Sequence, residues 1–96
     1  MSSIIRKLVE DAAADGMHLI VVSEECEEYR GTDANEAYEI IMDLEMAVLS
    51  VVNEASDKKD NSGSVLLIPG HKGLEQIVDF GGRWMERWYA AMSRFA

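Results

Sequence analysis

The sequence predicts a single small domain over residues 1–96, of the α/β or α+β class, with helices packed on a three-stranded sheet in the order α-β-α-β-β-α. Three observations lead to this prediction. An apolar stripe with helical spacing lies near the start, a β-branched run of strand length follows it, and two later apolar segments are separated by a polar, glycine-containing loop. The composition, 48% hydrophobic and 28% charged, is typical of a globular domain.

The first helix is predicted to follow Ser2 or Ser3, either of which can cap it, and to end at Gly16. Residues 17–22 then form a short apolar, β-branched run, which is typical of a strand at the centre of a small sheet. Residues 23–31 are predicted to be a charged connection. The apolar stripe of the first helix consists of Ile5, Leu8, Val9, Ala12 and Ala13.

The second helix is predicted to begin at Asp33, whose carboxylate can cap it while Glu36 reaches back toward the cap. Two interpretations compete after this start. In the first, one helix runs on to about Ala55, because apolar residues continue at helical spacing that far.

In the second interpretation, the helix ends near Asp43 and residues 46–54, which contain three valines, form a strand. That strand would pair with residues 64–68 through the polar loop 56–63. We favour this hairpin, because one continuous helix would leave the protein with only two strands, and a two-stranded sheet is marginally stable.

Residues 69–73 are predicted to be a turn, and the last helix begins near Leu74 with an interruption at residues 81–82. Beyond the interruption the apolar and aromatic residues cover about 160° of the helix circumference, which is more than one face of so small a domain easily buries. Two interpretations follow: the helix wraps the core, or part of its apolar surface forms an interface, for which a second copy of the chain is the simplest partner. The predicted interface residues are Trp84, Trp88, Tyr89 and Met92.

Acidic residues are concentrated in one half of the chain. Fourteen of the eighteen lie between Glu10 and Asp57, where Arg30 is the one basic residue, so this stretch carries a formal charge of −13. A concentrated negative surface repels nucleic acid and anionic lipid and attracts basic protein surfaces. Rows of carboxylates can also imitate a phosphate backbone and occupy a basic groove. The alternative interpretation is a solvated surface that keeps a small protein soluble.

The residues with catalytic chemistry do not form a recognisable motif. Cys26 stands among four glutamates, which favour the thiol over the reactive thiolate. His71 lies on a turn without a partner at the spacing of a hydrolase triad. The acidic loop near residue 57 lacks the glutamate that an EF-hand requires, since Ile68 stands at that position. We expect a non-enzymatic protein with no cofactor and no specific metal site.

The same features predict a cytoplasmic location. The longest apolar runs are far shorter than the roughly 20 residues of a membrane span. The first residues lack the apolar segment of a secretory signal, and a single cysteine suits a reducing compartment.

Three segments carry a resemblance to known proteins: residues 29–34 leading into a short helix, residues 65–70, and residues 75–80 before the tryptophans. Their layout resembles that of small acidic accessory proteins encoded by phages and mobile elements, over residues 29–88 and through general spacing. Some proteins of this kind inhibit host defence systems, including anti-CRISPR proteins and DNA-mimic inhibitors. The resemblance implies an inhibitory role and assigns no individual binding residue.

The leading hypothesis is an acidic interaction protein that binds and blocks a basic surface of a nucleic-acid-handling complex. The alternative is a homo-oligomeric structural or assembly subunit of a phage or bacterial complex, for which a homodimer is the simplest form. The residues predicted to contact a basic partner are Glu24, Glu25, Glu27, Glu28, Glu36, Glu39 and Asp43.

Overall fold

The computed structural model describes residues 4–52 and 62–93, and these residues form three α-helices and five strands. The elements follow one another in the order α-β-β-α-β-β-β-α, with a turn of 3₁₀-helix over Gly73–Gln76. Their bounds are α1 Ile4–Ala14, β1 His18–Ser23, β2 Cys26–Gly31, α2 Ala34–Met42, β3 Ala47–Val52, β4 Gly63–Leu67, β5 Ile77–Gly81 and α3 Arg83–Ser93.

The five strands form one antiparallel sheet in the order β2-β1-β3-β4-β5. β1 and β2 form a hairpin, α2 then carries the chain across β1, and β3 enters on the far side of β1. β3, β4 and β5 follow as a meander. The fold is therefore a small α+β domain, and its central strand is β3, whereas β1 is an internal strand beside it.

The predicted order α-β-α-β-β-α with three strands is wrong because it lacks β2 and β5. β2 was expected to be a connection, since its residues are mostly charged and exposed. It is an edge strand, which needs only one neighbour and buries only part of Tyr29 and Gly31. β5 was expected to be the start of the last helix, but the helical stretch before Ile77 is a single 3₁₀ turn.

The hairpin interpretation of residues 46–68 is confirmed. β3 and β4 pair in antiparallel register from Ala47 opposite Leu67 to Val51 opposite Gly63. The alternative of one helix running to Ala55 is excluded, since α2 ends at Met42. Residues 53–61, the proposed caps Ser2 and Ser3 and the last three residues lie outside the described residues.

The two predicted helix boundaries near the start of the chain are also confirmed. Gly16 adopts φ +76° after α1, and the next residue, Met17, donates its N–H to the carbonyl of Ala12, as in a Schellman motif. Asp33 caps α2 by accepting the backbone N–H of Glu36 at 3.1 Å. In a capping box, the side chain of Glu36 would accept the backbone N–H of Asp33. Here that N–H donates to the hydroxyl of Tyr29 instead.

All three helices pack on one face of the sheet. A single cluster of buried residues contains residues of all three helices and the inward-facing residues of the sheet. The shortest dimension of the molecule, 21 Å, fits one layer of sheet and one layer of helix of roughly 10 Å each. The fully buried large side chains are Ile5, Leu8, Val9, Met17, Leu19, Val21, Ile41, Leu49, Val51, Val65, Leu67 and Met85.

Candidate functional site

An open acidic groove lies at the end of the sheet where the β1–β2 turn meets the connection from α2 to β3. Its volume is about 720 Å³. Among the described residues that line it, four carry carboxylates and none is basic. The lining residues are Ser23, Glu24, Cys26, Glu28, Asp43, Leu44, Glu45, Met46 and Ile68.

Glu24 reaches the groove because the β1–β2 hairpin turns within two residues. Ser23 pairs with Cys26, so Glu24 and Glu25 are the two central residues of the turn, with φ values of 50° and 69°. Two consecutive positive φ values define the mirror-image turn that matches the twist of a hairpin. Asn and Gly are usual there, because other residues adopt this conformation with backbone strain.

A bulge in β2 separates the side chains of Glu27 and Glu28. Val22 pairs with Glu27 while Val21 pairs with Tyr29, so Glu28 is the additional residue of the bulge. Glu28 lines the acidic groove. Glu27 instead faces Arg30, whose Nη2 donates to its carboxylate at 2.7 Å. The bulge therefore places Glu28 in the groove and leaves Glu27 with its charge partly compensated.

The opposite wall of the acidic groove comes from the end of α2. Asp43 caps this end. Its backbone N–H donates to the carbonyl of Ile40 at 3.2 Å, and the N–H of Leu44 donates to the carbonyl of Ile41 at 3.0 Å. The C-terminus of a helix carries partial negative charge, which adds to the carboxylates of Asp43 and Glu45. A hydrogen bond links the hairpin wall to the α2 wall of the groove, since the hydroxyl of Ser23 donates to the carbonyl of Met46 at 3.2 Å.

The structure divides the seven acidic residues predicted to bind a partner. Glu24, Glu28 and Asp43 line the acidic groove, and Glu25 lies beside it in the turn. The remaining three do not line it, since Glu27 faces Arg30 and α2 holds Glu36 and Glu39 in exposed positions.

Glu45 lines the acidic groove but was not among the predicted residues. Its sequence position gave a usable signal, because it follows the end of the predicted helix by two residues and precedes a strand. Short αβ connections of this kind lie at the end of a sheet, where they can meet a hairpin turn.

The described residues contain no group of three His, Cys, Asp or Glu side chains that could hold a metal ion. Cys26 is an exposed free thiol in the acidic groove. His71 lies in the turn after β4, where its Nδ1 is 3.1 Å from the carbonyl oxygen of Glu75.

The four residues predicted to form an oligomer interface lie on α3 and have contacts within the chain. Trp88 is only 8% exposed, and its indole N–H donates to Asp11 at 2.8 Å. The indole N–H of Trp84 donates to Asp15 at the same distance. Asp11 on α1 and Asp15 directly after its end are four residues apart, which matches the spacing of the two tryptophans on α3.

The other two residues of this set, Tyr89 and Met92, are half-buried against the same core. The Tyr89 ring stacks on Phe80 of β5 with centroids 4.5 Å apart. The aromatic side of α3 thus docks the helix onto α1 and β5.

Among the described residues, none of the helices has the length and apolar character that a membrane span requires.

Comparison with known proteins identifies no relative: no family model, curated protein or solved structure matches the chain.

Proposed function

We propose that this protein is a non-enzymatic binding protein that captures a basic protein surface in its acidic groove. The observation that carries the proposal is the convergence of four carboxylates, from two separate segments of the chain, on one open groove whose described lining residues include no basic side chain. The formal charge of −9 for the whole chain also favours binding of a basic partner, because it attracts cationic surfaces at long range.

The floor of the groove supports binding of a protein better than binding of a simple cation. Leu44, Met46 and Ile68 contribute apolar area between the carboxylates, and Met46 is 51% exposed. An interface combines an apolar centre with a charged rim, and methionine adapts well to the shape of a partner. A lysine or arginine side chain can lay its apolar stem on this floor while its head meets a carboxylate.

We further propose that the captured surface is one that otherwise holds nucleic acid. Carboxylates spaced along a groove wall present negative charge to a basic surface as phosphates do. A protein bound in this way blocks nucleic acid from the same surface. The resemblance to small acidic phage and mobile-element proteins, some of which inhibit host defence systems, agrees with this role.

A matched pair of charge reversals tests the location of the binding site. Glu24→Lys with Glu28→Lys changes the groove, whereas Glu36→Lys with Glu39→Lys makes the same change in net charge on exposed positions of α2. Immobilised protein is incubated with host lysate at low and at high salt, and bound proteins are identified by mass spectrometry. We expect capture of nucleic-acid-associated proteins at low salt, weaker capture at high salt, and loss of capture in the groove variant alone.

Three results would contradict the proposal. Equal loss in both variants would mean that net charge, not the groove, attracts the partner. Capture that does not weaken with salt would remove the electrostatic basis. Added duplex DNA that fails to compete with the wild-type protein for its captured partner would refute the blocking of nucleic acid while leaving protein binding in place.

A further inference from the structure

The face of the sheet that points away from the helices carries apolar side chains without a covering layer among the described residues. None of these side chains belongs to the core cluster or packs against it, and Val48 at the centre of the face is 38% exposed. The apolar members of this open sheet face are Ile20, Val22, Val48, Val52 and Leu66.

The strand register arranges the open sheet face into two neighbouring rows that run across the strands. The large-residue row contains Glu27, Val22, Val48, Leu66 and Asp79, from β2 to β5. The second row contains Arg30, Ile20, Ser50, Ser64 and Gly81 in the same order. We call it the small-residue row after its members on β3, β4 and β5.

The two rows have complementary shapes. Val48 and Leu66 project from the large-residue row, while Ser50 and Ser64 leave hollows at the corresponding strands of the small-residue row. Consider a two-fold axis that lies in the plane of the interface, midway between the rows and perpendicular to the strands. It places the large-residue row of each copy over the small-residue row of the other copy. The projecting side chains of one copy then enter the hollows of its partner.

The charges on β2 are complementary about the same axis. Glu27 ends the large-residue row and Arg30 ends the small-residue row, so the two-fold places each Arg30 over Glu27 of the second copy. Within one copy these two side chains already form an ion pair at 2.7 Å, with about half of each side chain exposed. Pairs on both sides of the axis make this edge of the open sheet face self-complementary, as an isologous interface requires.

We propose that the open sheet face binds the same face of a second copy of this chain, forming a symmetric dimer with the two sheets packed together and the helices outside. Five strands spaced about 4.8 Å apart give the face a footprint of roughly 400–500 Å². A stable dimer typically covers about 800 Å² per partner. The dimer is therefore expected to be weak and to dissociate on dilution.

Sedimentation equilibrium over a concentration series tests the dimer. The wild-type chain of 10.7 kDa is expected to approach twice this mass at high concentration. Val48→Glu places a charge in the centre of the interface and is expected to abolish the dimer. Met42→Glu is the control, because Met42 on α2 is 39% exposed, nearly the same as Val48, and lies away from the open sheet face.

A mixing experiment tests the proposed axis without relying on an apolar substitution. Arg30→Glu and Glu27→Arg each create like charges across the two-fold, so each variant alone is expected to dimerise about tenfold more weakly than the wild type. A mixture of the two restores opposite charges at every contact and is expected to form a heterodimer. Mixing Arg30→Glu with Glu36→Arg, which has the same net charge as Glu27→Arg, is the control. Glu36→Arg keeps the wild-type interface and dimerises with itself, and its heterodimer with Arg30→Glu retains one like-charge contact, so heterodimers are not expected to be favoured.

Three outcomes would overturn this proposal. The first is a wild-type chain that stays monomeric at millimolar concentration, which would assign the face to a different protein. The second is a dimer that survives Val48→Glu, or that is lost equally in a folded Met42→Glu variant. The third is a mixture that associates no better than its components, which would exclude the two-fold between the rows. Circular dichroism of each variant establishes that it is folded.

Discussion

At the scale of single residues, the turn formed by Glu24 and Glu25 combines backbone strain with charge. Both residues have positive φ, a conformation that costs roughly 1–2 kcal/mol for a residue with a side chain. Glu24 lines the acidic groove, whereas Glu25 does not. Strained residues concentrate at functional sites, so the strain at Glu24 agrees with the binding role proposed for this residue.

Replacing Glu25 with glycine is therefore expected to stabilise the fold. Glu25→Gly should raise the free energy of unfolding by about 1 kcal/mol, because glycine adopts positive φ without strain. Urea denaturation measures the change. The control is Glu36→Gly, which puts glycine inside α2 and should lower the free energy of unfolding by about 1 kcal/mol. A loss of stability in Glu25→Gly would show that the turn is not strained.

At the scale of secondary-structure elements, α3 is held by aromatic side chains whose indole N–H groups have partners on α1 and in the turn after it. Trp88 donates to Asp11 of α1, Trp84 donates to Asp15 just after α1, and Tyr89 stacks on Phe80 of β5. An aromatic side chain that is buried and hydrogen-bonded contributes mainly to the fold of its own chain. The aromatic composition of α3 is thus accounted for by its docking.

Trp88→Ala is expected to destabilise the monomer by about 3–5 kcal/mol, since it removes a large buried side chain and leaves Asp11 without its indole donor. Thermal unfolding measures the effect. Trp84→Ala should cost less, because Trp84 is only half-buried. If Trp88→Ala instead left the melting temperature unchanged and weakened self-association, α3 would be the oligomer interface that the sequence alone predicted.

At the scale of the whole molecule, the acidic groove and the open sheet face are two surfaces that share no lining residue. The acidic groove lies at one end of the sheet, while the open sheet face has Glu27, Asp79 and Arg30 at its edges and little net charge. A dimer through the open sheet face therefore keeps the most acidic regions apart. The same molecule can present a groove for a basic partner and a face for a second copy.

The two kinds of association are expected to respond to salt in opposite directions. Capture of a basic partner should weaken as salt rises, because the attraction is screened. Dimerisation should strengthen, because two copies with a formal charge of −9 repel each other and salt screens this repulsion. Salt also screens the Arg30–Glu27 pairs across the two-fold, but exposed ion pairs contribute little, and apolar burial stays intact. Sedimentation and partner binding measured over the same salt series check this. A parallel response of both would contradict the separation of the two surfaces.

The sequence by itself determined the elements whose signals are local. The stripe of α1, the cap at Asp33, the β-branched run of β1 and the two apolar segments that pair as β3 and β4 each depend on residues near one another in the chain. The concentration of acidic residues was equally visible, because charge needs no fold to be counted.

Only the tertiary structure decided which residues meet. β2 and β5 are edge strands that become strands by pairing with one neighbour, so their own residues carry little periodic signal. The bulge at Glu28 separates two adjacent glutamates onto different surfaces, and the acidic groove joins Glu24 to Glu45 across the fold. These contacts arise from pairing between distant segments, and their register is set by the whole sheet rather than by any single stretch of chain.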